Sequence, residues 1–196
     1  MRSLLAHIET VEKTIENLDQ KKAFAFGAAC TEHQWPVYVK ASEGMPWEMQ
    51  SDLRKALDDI WRWLLGSGNR PQGIFQRIES AIFEDAVKDF EIAARMVAGS
   101  FVSLAYGVEN DKLSQCAQVA VYGLDLIESF VYDILNLPVT SENDLLVDQH
   151  ELIRNEMRRQ QDDLKFVVSE PMSPAVIREL RARSLGESIL QNYWFQ

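Results

Sequence analysis

The stretch Leu113-Ser-Gln-Cys-Ala117-Gln-Val-Ala120-Val-Tyr-Gly-Leu124-Asp-Leu-Ile127-Glu-Ser-Phe-Val131-Tyr-Asp-Ile134 decides the fold class. Residues 113, 117, 120, 124, 127, 131 and 134 are apolar and recur at spacings of four and three. That rhythm lines one face of an α-helix, and such a face has to be buried against other helices. The same rhythm runs outward in both directions. Towards the N-terminus it appears as Leu4, Ile8, Val11, Ile15 and Leu18, as Leu53, Leu57, Ile60 and Leu64, and as Phe83, Val87, Phe90, Ala94, Val97, Phe101, Leu104 and Val108. Towards the C-terminus a weaker series runs Leu146, His150, Ile153, Met157, Gln160, Leu164 and Val167, with two polar residues in the stripe. No segment alternates with period two between hairpin turns, so strands are not expected.

The breaks between series carry turn chemistry. Gly66-Ser-Gly-Asn-Arg-Pro71 ends one helix. Asn110 or Asp111 is a candidate N-cap for the next long helix, and Thr140 or Ser141 for the one after it. Ser173 should cap a last helix, with Pro174 in the first position, where its missing N–H costs nothing. Phe24-Ala-Phe-Gly-Ala-Ala29 suggests close helix packing, while Trp35-Pro36-Val-Tyr38 and Met45-Pro46-Trp47 read as a connection wrapped by aromatics. The expectation is a single all-α domain spanning residues 1–196. It is a helical bundle of about seven or eight helices, with mostly antiparallel neighbours because the connections are short.

Composition narrows the function classes. The chain has 196 residues, 46% of them hydrophobic, with 20 Lys+Arg against 30 Asp+Glu and a formal net charge of −10. A nucleic-acid-binding module needs a basic footprint, so no nucleic-acid partner is expected. No apolar run is long enough to span a membrane. Two distant cysteines, Cys30 and Cys116, and an N-terminus without a signal-peptide core point to the cytoplasm.

Catalytic and metal motifs are missing. Gly66-Ser-Gly68 completes no phosphate-binding pattern, and no G-x-S-x-G elbow occurs. After His150-Glu151 a zinc helix would need a second histidine where Arg154 stands. No metal or cofactor is expected. His150 reads as a structural histidine in its stripe. Cys30 and His33 share a helical face, but a buried, inert thiol is the preferred reading. The doublets Asp58-Asp59 and Asp162-Asp163 are adjacent residues that do not share a helical face, so each reads as contributing one carboxylate to a solvated surface.

Three features could bind something. Between Glu109 and Asp144 seven acids face one base, Lys112. Within that segment Tyr122, Asp125, Glu128, Tyr132 and Asp133 suit the docking of a basic protein, with charges steering the encounter and aromatics anchoring it. The second feature is an aromatic pocket that would gather Glu32, His33, Trp35, Tyr38 and Trp61. The third is the apolar C-terminus, Ser188-Ile-Leu-Gln-Asn-Tyr-Trp-Phe-Gln196, which either folds back or pairs with a second copy in a homo-oligomer.

Phe26-Gly-Ala-Ala-Cys-Thr-Glu32-His-Gln-Trp35-Pro36-Val-Tyr38, followed by Leu57-Asp58-Asp-Ile60-Trp61, resembles the N-terminal signature of the YjaG-like bacterial family, domain of unknown function 416. Glu84-Asp-Ala-Val-Lys-Asp, the Glu151–Leu164 helix and the ending Leu180-Arg-Ala-Arg…Gly186-Glu187-Ser188-Ile189 are similar in order and spacing. The most specific part is Glu32, then Pro36, then Tyr38; His33 stands where the family pattern has Arg. The resemblance implies a compact all-helical domain and no known activity, cofactor or substrate. The leading expectation is therefore a non-enzymatic protein acting through a partner, for example as an immunity protein neutralising a basic toxin. The alternative is a small-molecule or enzymatic site around Cys30, Glu32, His33, Trp35 and Tyr38.

Overall fold

A computed structural model describes residues 3–42, 47–83 and 92–186. Among them lie nine helices: α1 (Ser3–Glu16), α2 (Gln20–Ala41), α3 (Trp47–Leu64), α4 (Ile74–Phe83), α5 (Ile92–Asn110), α6 (Ser114–Leu135), α7 (Asp144–Asp148), α8 (Glu151–Ser169) and α9 (Pro174–Ser184). No strand occurs among the described residues. The helices pack as one all-α bundle. Eight of them have two turns or more, and α7 is a single turn. Residues 84–91, Met45-Pro46 and the apolar segment Ser188–Gln196 lie outside the described residues.

The hub is α2. It packs against α3, α5, α6, α8 and α9, and every residue from Ala23 to Gln34 is buried. A helix enclosed on all sides has no polar face, so it shows no stripe. Small residues let its neighbours come close. A Cβ on Gly27 would sit 3.1 Å from both Cys116 Sγ and Leu104 Cδ1, so α5 and α6 pack almost onto the α2 backbone. Phe24, Leu53, Leu57, Trp61, Leu104 and Leu124 are fully buried around this hub. Each contributes roughly 1.5–3 kcal/mol from the apolar surface it removes from water.

The reading of Trp35–Tyr38 as a connection is overturned. The helix continues through Pro36 to Ala41. Proline has no N–H to offer the carbonyl one turn back, that of Glu32, but burial of the flanking turns keeps the helix going. The series that placed Leu146 and His150 in one helix with Ile153 also breaks. α7 buries Val147 and leaves Leu146 exposed. His150 is the N-cap of α8 rather than a core residue, with Nδ1 accepting from Leu152 N–H at 3.3 Å.

Other ends follow local chemistry. After α3, Gly66 takes φ 75° while its N–H donates to the Trp63 carbonyl and the Ser67 N–H to that of Arg62. This is a Schellman closure, in which glycine pays no Cβ penalty. Ser173 Oγ accepts from Val176 N–H, with Pro174 opening α9 as its sequence implies. The N-cap positions of α6 and α7 are Leu113 and Asn143, not Asn110, Asp111, Thr140 or Ser141. Asp111 instead adopts φ 58° and receives hydrogen bonds from Gln20 and Arg70.

Candidate functional site

Glu32 is only 1% exposed, yet its carboxylate is answered from three sides. Arg54 of α3 forks onto it, Nη1 donating to Oε1 at 2.5 Å and Nη2 to Oε2 at 2.9 Å. The indole Nε1–H of Trp61, two turns further along α3, donates to Oε2 at 2.7 Å. Arg181 of α9 brings its Nε within 3.4 Å of the same oxygen. Asp58, one turn from Arg54, binds both guanidiniums: Arg54 Nη2 at 2.7 Å and Arg181 Nη2. Two carboxylates and two guanidiniums from α2, α3 and α9 thus form a closed square. Burial pulls the Asp58 carboxyl upward, but the hydrogen bonds and charge of Arg54, then Arg181, hold it below the usual carboxylate range. Glu32 and Asp58 in turn keep Arg54 protonated against the cost of its burial.

Aromatic rings frame the square. The Arg54 guanidinium lies 5.4 Å from the Trp35 ring and that of Arg181 5.6 Å from the Trp61 ring. Trp35 stacks on Tyr38 with centroids 5.5 Å apart and meets Phe101 edge-on at 5.8 Å. Above this floor opens a groove of about 760 Å³, walled by Trp35, Val39, Gln50, Arg54, Lys55 and Arg181. A mostly apolar concavity with a few fixed polar groups is the usual form of a small-molecule site. Of the residues expected to share a pocket, Trp35 lines the groove, Glu32 lies under it, and Tyr38 and Trp61 are buried behind it.

His33 turns the other way, to a second cluster between α2 and α8. Arg159 is at its centre. It donates to Glu156 through Nε at 2.9 Å and Nη2 at 2.6 Å, and to Asp163 through Nη1 at 2.9 Å. Burial would raise the Glu156 carboxyl, but Arg159 first, then His33 and Gln160, hold it low. Asp163 is raised by burial despite Arg159. His33 Nε2 is 3.9 Å from Glu156 Oε2, and neither ring nitrogen finds a hydrogen-bond partner among the described residues. Burial, then the charge of Arg159, pushes its pKa down to about 4. Cys30 Sγ lies 3.8 Å from Arg159 Nη2, and burial pushes the thiol up to about 12. At neutral pH this places a protonated thiol beside a neutral imidazole, which is not an activated nucleophile pair.

The family model described as "Protein of unknown function (DUF416)" matches residues 10–189. The chain belongs to the DUF416 family. A crystal structure of a DUF416 family protein from Shewanella baltica OS155 superposes with a TM-score of 0.78, at 18% identity, covering 91% of this chain and 96% of that one. At that identity the likeness shows the DUF416 fold alone. A comparison with curated proteins finds no match.

On the acidic flank of this DUF416 chain, Tyr132 is buried, its hydroxyl donating to Asp144 Oδ1 at 2.7 Å, and Tyr122 lies against Gly99. Asp125 is half-buried and raised, first by burial and then by Glu128. Asp133 is exposed. Sequence reasoning missed Arg54, Asp58, Arg181, Glu156 and Arg159. Each doublet is expected to put one carboxylate on a solvated surface; the other member, Asp58 or Asp163, is tied into an ion-pair network. The Arg54/Asp58 and Glu156/Arg159/Asp163 spacings of three and four are signals that could have found most of these. Nothing local marks Arg181. Among the described residues no helix is long and apolar enough to cross a membrane, and no group of three or more His, Cys, Asp or Glu could hold a metal ion.

Proposed function

We propose that this protein is a non-catalytic binding protein whose groove between α2, α3 and α9 takes a small molecule with a planar apolar body and a carboxylate. The observation that carries this reading is the square of Glu32, Arg54, Asp58 and Arg181. It spends one buried carboxylate, Glu32, and one partly exposed carboxylate, Asp58, on fixing two guanidiniums at the floor of the groove. Groups held by such contacts meet a ligand already in place, which lowers the ordering cost of binding. Trp35 and Val39 offer the apolar wall, and Lys55 a cation at the groove for which no ion pair is seen among the described residues. Ligand-observed NMR with a panel of aryl carboxylates tests the reading. Saturable binding that is lost in Trp35→Ala and weakened about tenfold in Lys55→Gln is expected. No saturable binder in the panel, or equal binding by Trp35→Ala, would overturn it.

A second reading rests on the acidic flank, where Asp125 and Glu128 repel one another and Ile134 and Leu135 are exposed close by on α6. A basic protein docking there would relieve the repulsion and cover the apolar residues. An immunity role against a basic toxin is one form of this reading. Capture of a basic partner at low salt and its release at high salt would support it.

A further inference from the structure

We propose a second binding site on this molecule, a recess for a tetrahedral oxyanion, chemically a phosphoryl group of a small soluble molecule, formed by Arg62, Arg70 and Arg77 around the turn between α3 and α4. The recess has a volume of about 360 Å³, and its wall includes Asp59, Ser67 and Asn69 as well as the three arginines. It shares Arg62 with the groove already described but opens over a different part of the chain.

The three arginines are in different states. Arg62 is tied to Asp59 by a side chain that is 62% exposed, so it is free to swing. Arg70 is anchored from behind, donating to the Val108 carbonyl and to Asp111 and lying over the Trp63 ring at 5.5 Å. Arg77 is the member whose donors are unanswered. Its Nε and Nη2 are buried and find no hydrogen-bond acceptor among the described residues. A guanidinium normally spends its fork on a carboxylate or a phosphate, and burying those donors unpaired is costly. The helix N-terminus of α4 is not the source of the site, since the Phe75 N–H is already taken by Glu109 Oε1 at 3.0 Å. The acids nearby, Asp59 and Asp111, are each engaged by another arginine. What remains is a lining arginine with two unanswered N–H donors beneath the surface of the recess, and two further cations on the same wall. Tetrahedral oxyanions suit that arrangement through charge-assisted, bidentate contacts.

Calorimetric titration of the full chain with inorganic phosphate and pyrophosphate, against sodium chloride at matched ionic strength, tests the site. One saturable site is expected, tighter for pyrophosphate, and about ten- to hundredfold weaker in Arg77→Gln. Without ligand, Arg77→Gln should melt at the wild-type temperature or above it, because the variant removes two buried donors that have no acceptor among the described residues. With saturating pyrophosphate only the wild type should gain melting temperature. Binding that is unchanged in Arg77→Gln, or no more than chloride produces, overturns the proposal. An Arg77→Gln protein that melts well below wild type without ligand also overturns it, since the guanidinium would then be structural. Arg77→Met repeats the measurement with a side chain that keeps the packing.

Discussion

Glu32 and His33 are neighbours on α2, and they look into two ion clusters built around a central charge of opposite sign. On the Glu32 side a buried carboxylate is answered by two guanidiniums, Arg54 and Arg181. On the His33 side a buried guanidinium, Arg159, is answered by two carboxylates, Glu156 and Asp163. The first cluster underlies an open groove, with the Arg54 and Arg181 side chains 25% and 29% exposed. The second is nearly sealed, its carboxylate side chains at 3% and 5%. The same device therefore does two jobs. Closed off from water, it ties Glu156, Arg159 and Asp163 together along α8; opened on one side, it holds guanidiniums ready at a surface.

The sealed cluster should be the more costly to break. Arg159→Met leaves Glu156 buried without its cation and Asp163 with only Arg183, 3.5 Å away, and should cost about 3–5 kcal/mol, read as a drop in the urea midpoint at pH 7. Glu32→Gln should cost about 3 kcal/mol, at the low end of the range, because Asp58 still holds both arginines and water reaches them. If the two losses come out reversed, the contrast between a lock and a platform fails.

Protonation sharpens the same contrast. The folded pKa of His33 lies near 4, below its ordinary 6.5, so the unfolded chain binds the proton more readily. This contribution to stability is complete above about pH 6.5 and is lost as the pH falls towards 4. The His33→Gln variant should show a flatter stability profile across that window than wild type, by on the order of 2–3 kcal/mol. Parallel profiles would mean that the imidazole is solvated. The smallest effect is expected away from both clusters. Gly27→Ala adds a methyl 3.1 Å from Cys116 Sγ and Leu104 Cδ1. Overpacking of about 1–3 kcal/mol, less about 1 kcal/mol regained in helix propensity, leaves a loss of about 1 kcal/mol in thermal denaturation.

How much of this was legible depended on whether a signal was local. α6 could be read residue by residue, since it buries one face and wets the other. α2 could not, since burial on every side erases the periodicity, and Pro36 then looked like the end of a helix rather than its interior. The DUF416 resemblance was legible from Glu32, Pro36 and Tyr38. What Glu32 does was not, because its partners come from positions 54, 61 and 181. The doublets split for a geometric reason. Adjacent helical residues face apart, so Asp58 could join the square while Asp59 paired outward with Arg62. His33 and Glu32 separated for the same reason, and the expected pocket kept only one of them.

The enclosure of α2 has a consequence for how the molecule opens. Amide protons from Ala23 to Gln34 are shielded by five other helices, so no local fluctuation exposes them. They should exchange with deuterium only when the whole bundle comes apart, and their rates then report the global free energy of unfolding. α7, a single turn with Leu145 and Leu146 in solvent, should exchange orders of magnitude faster. The slowest protons would thus fall on the helix with the weakest amphipathic signature.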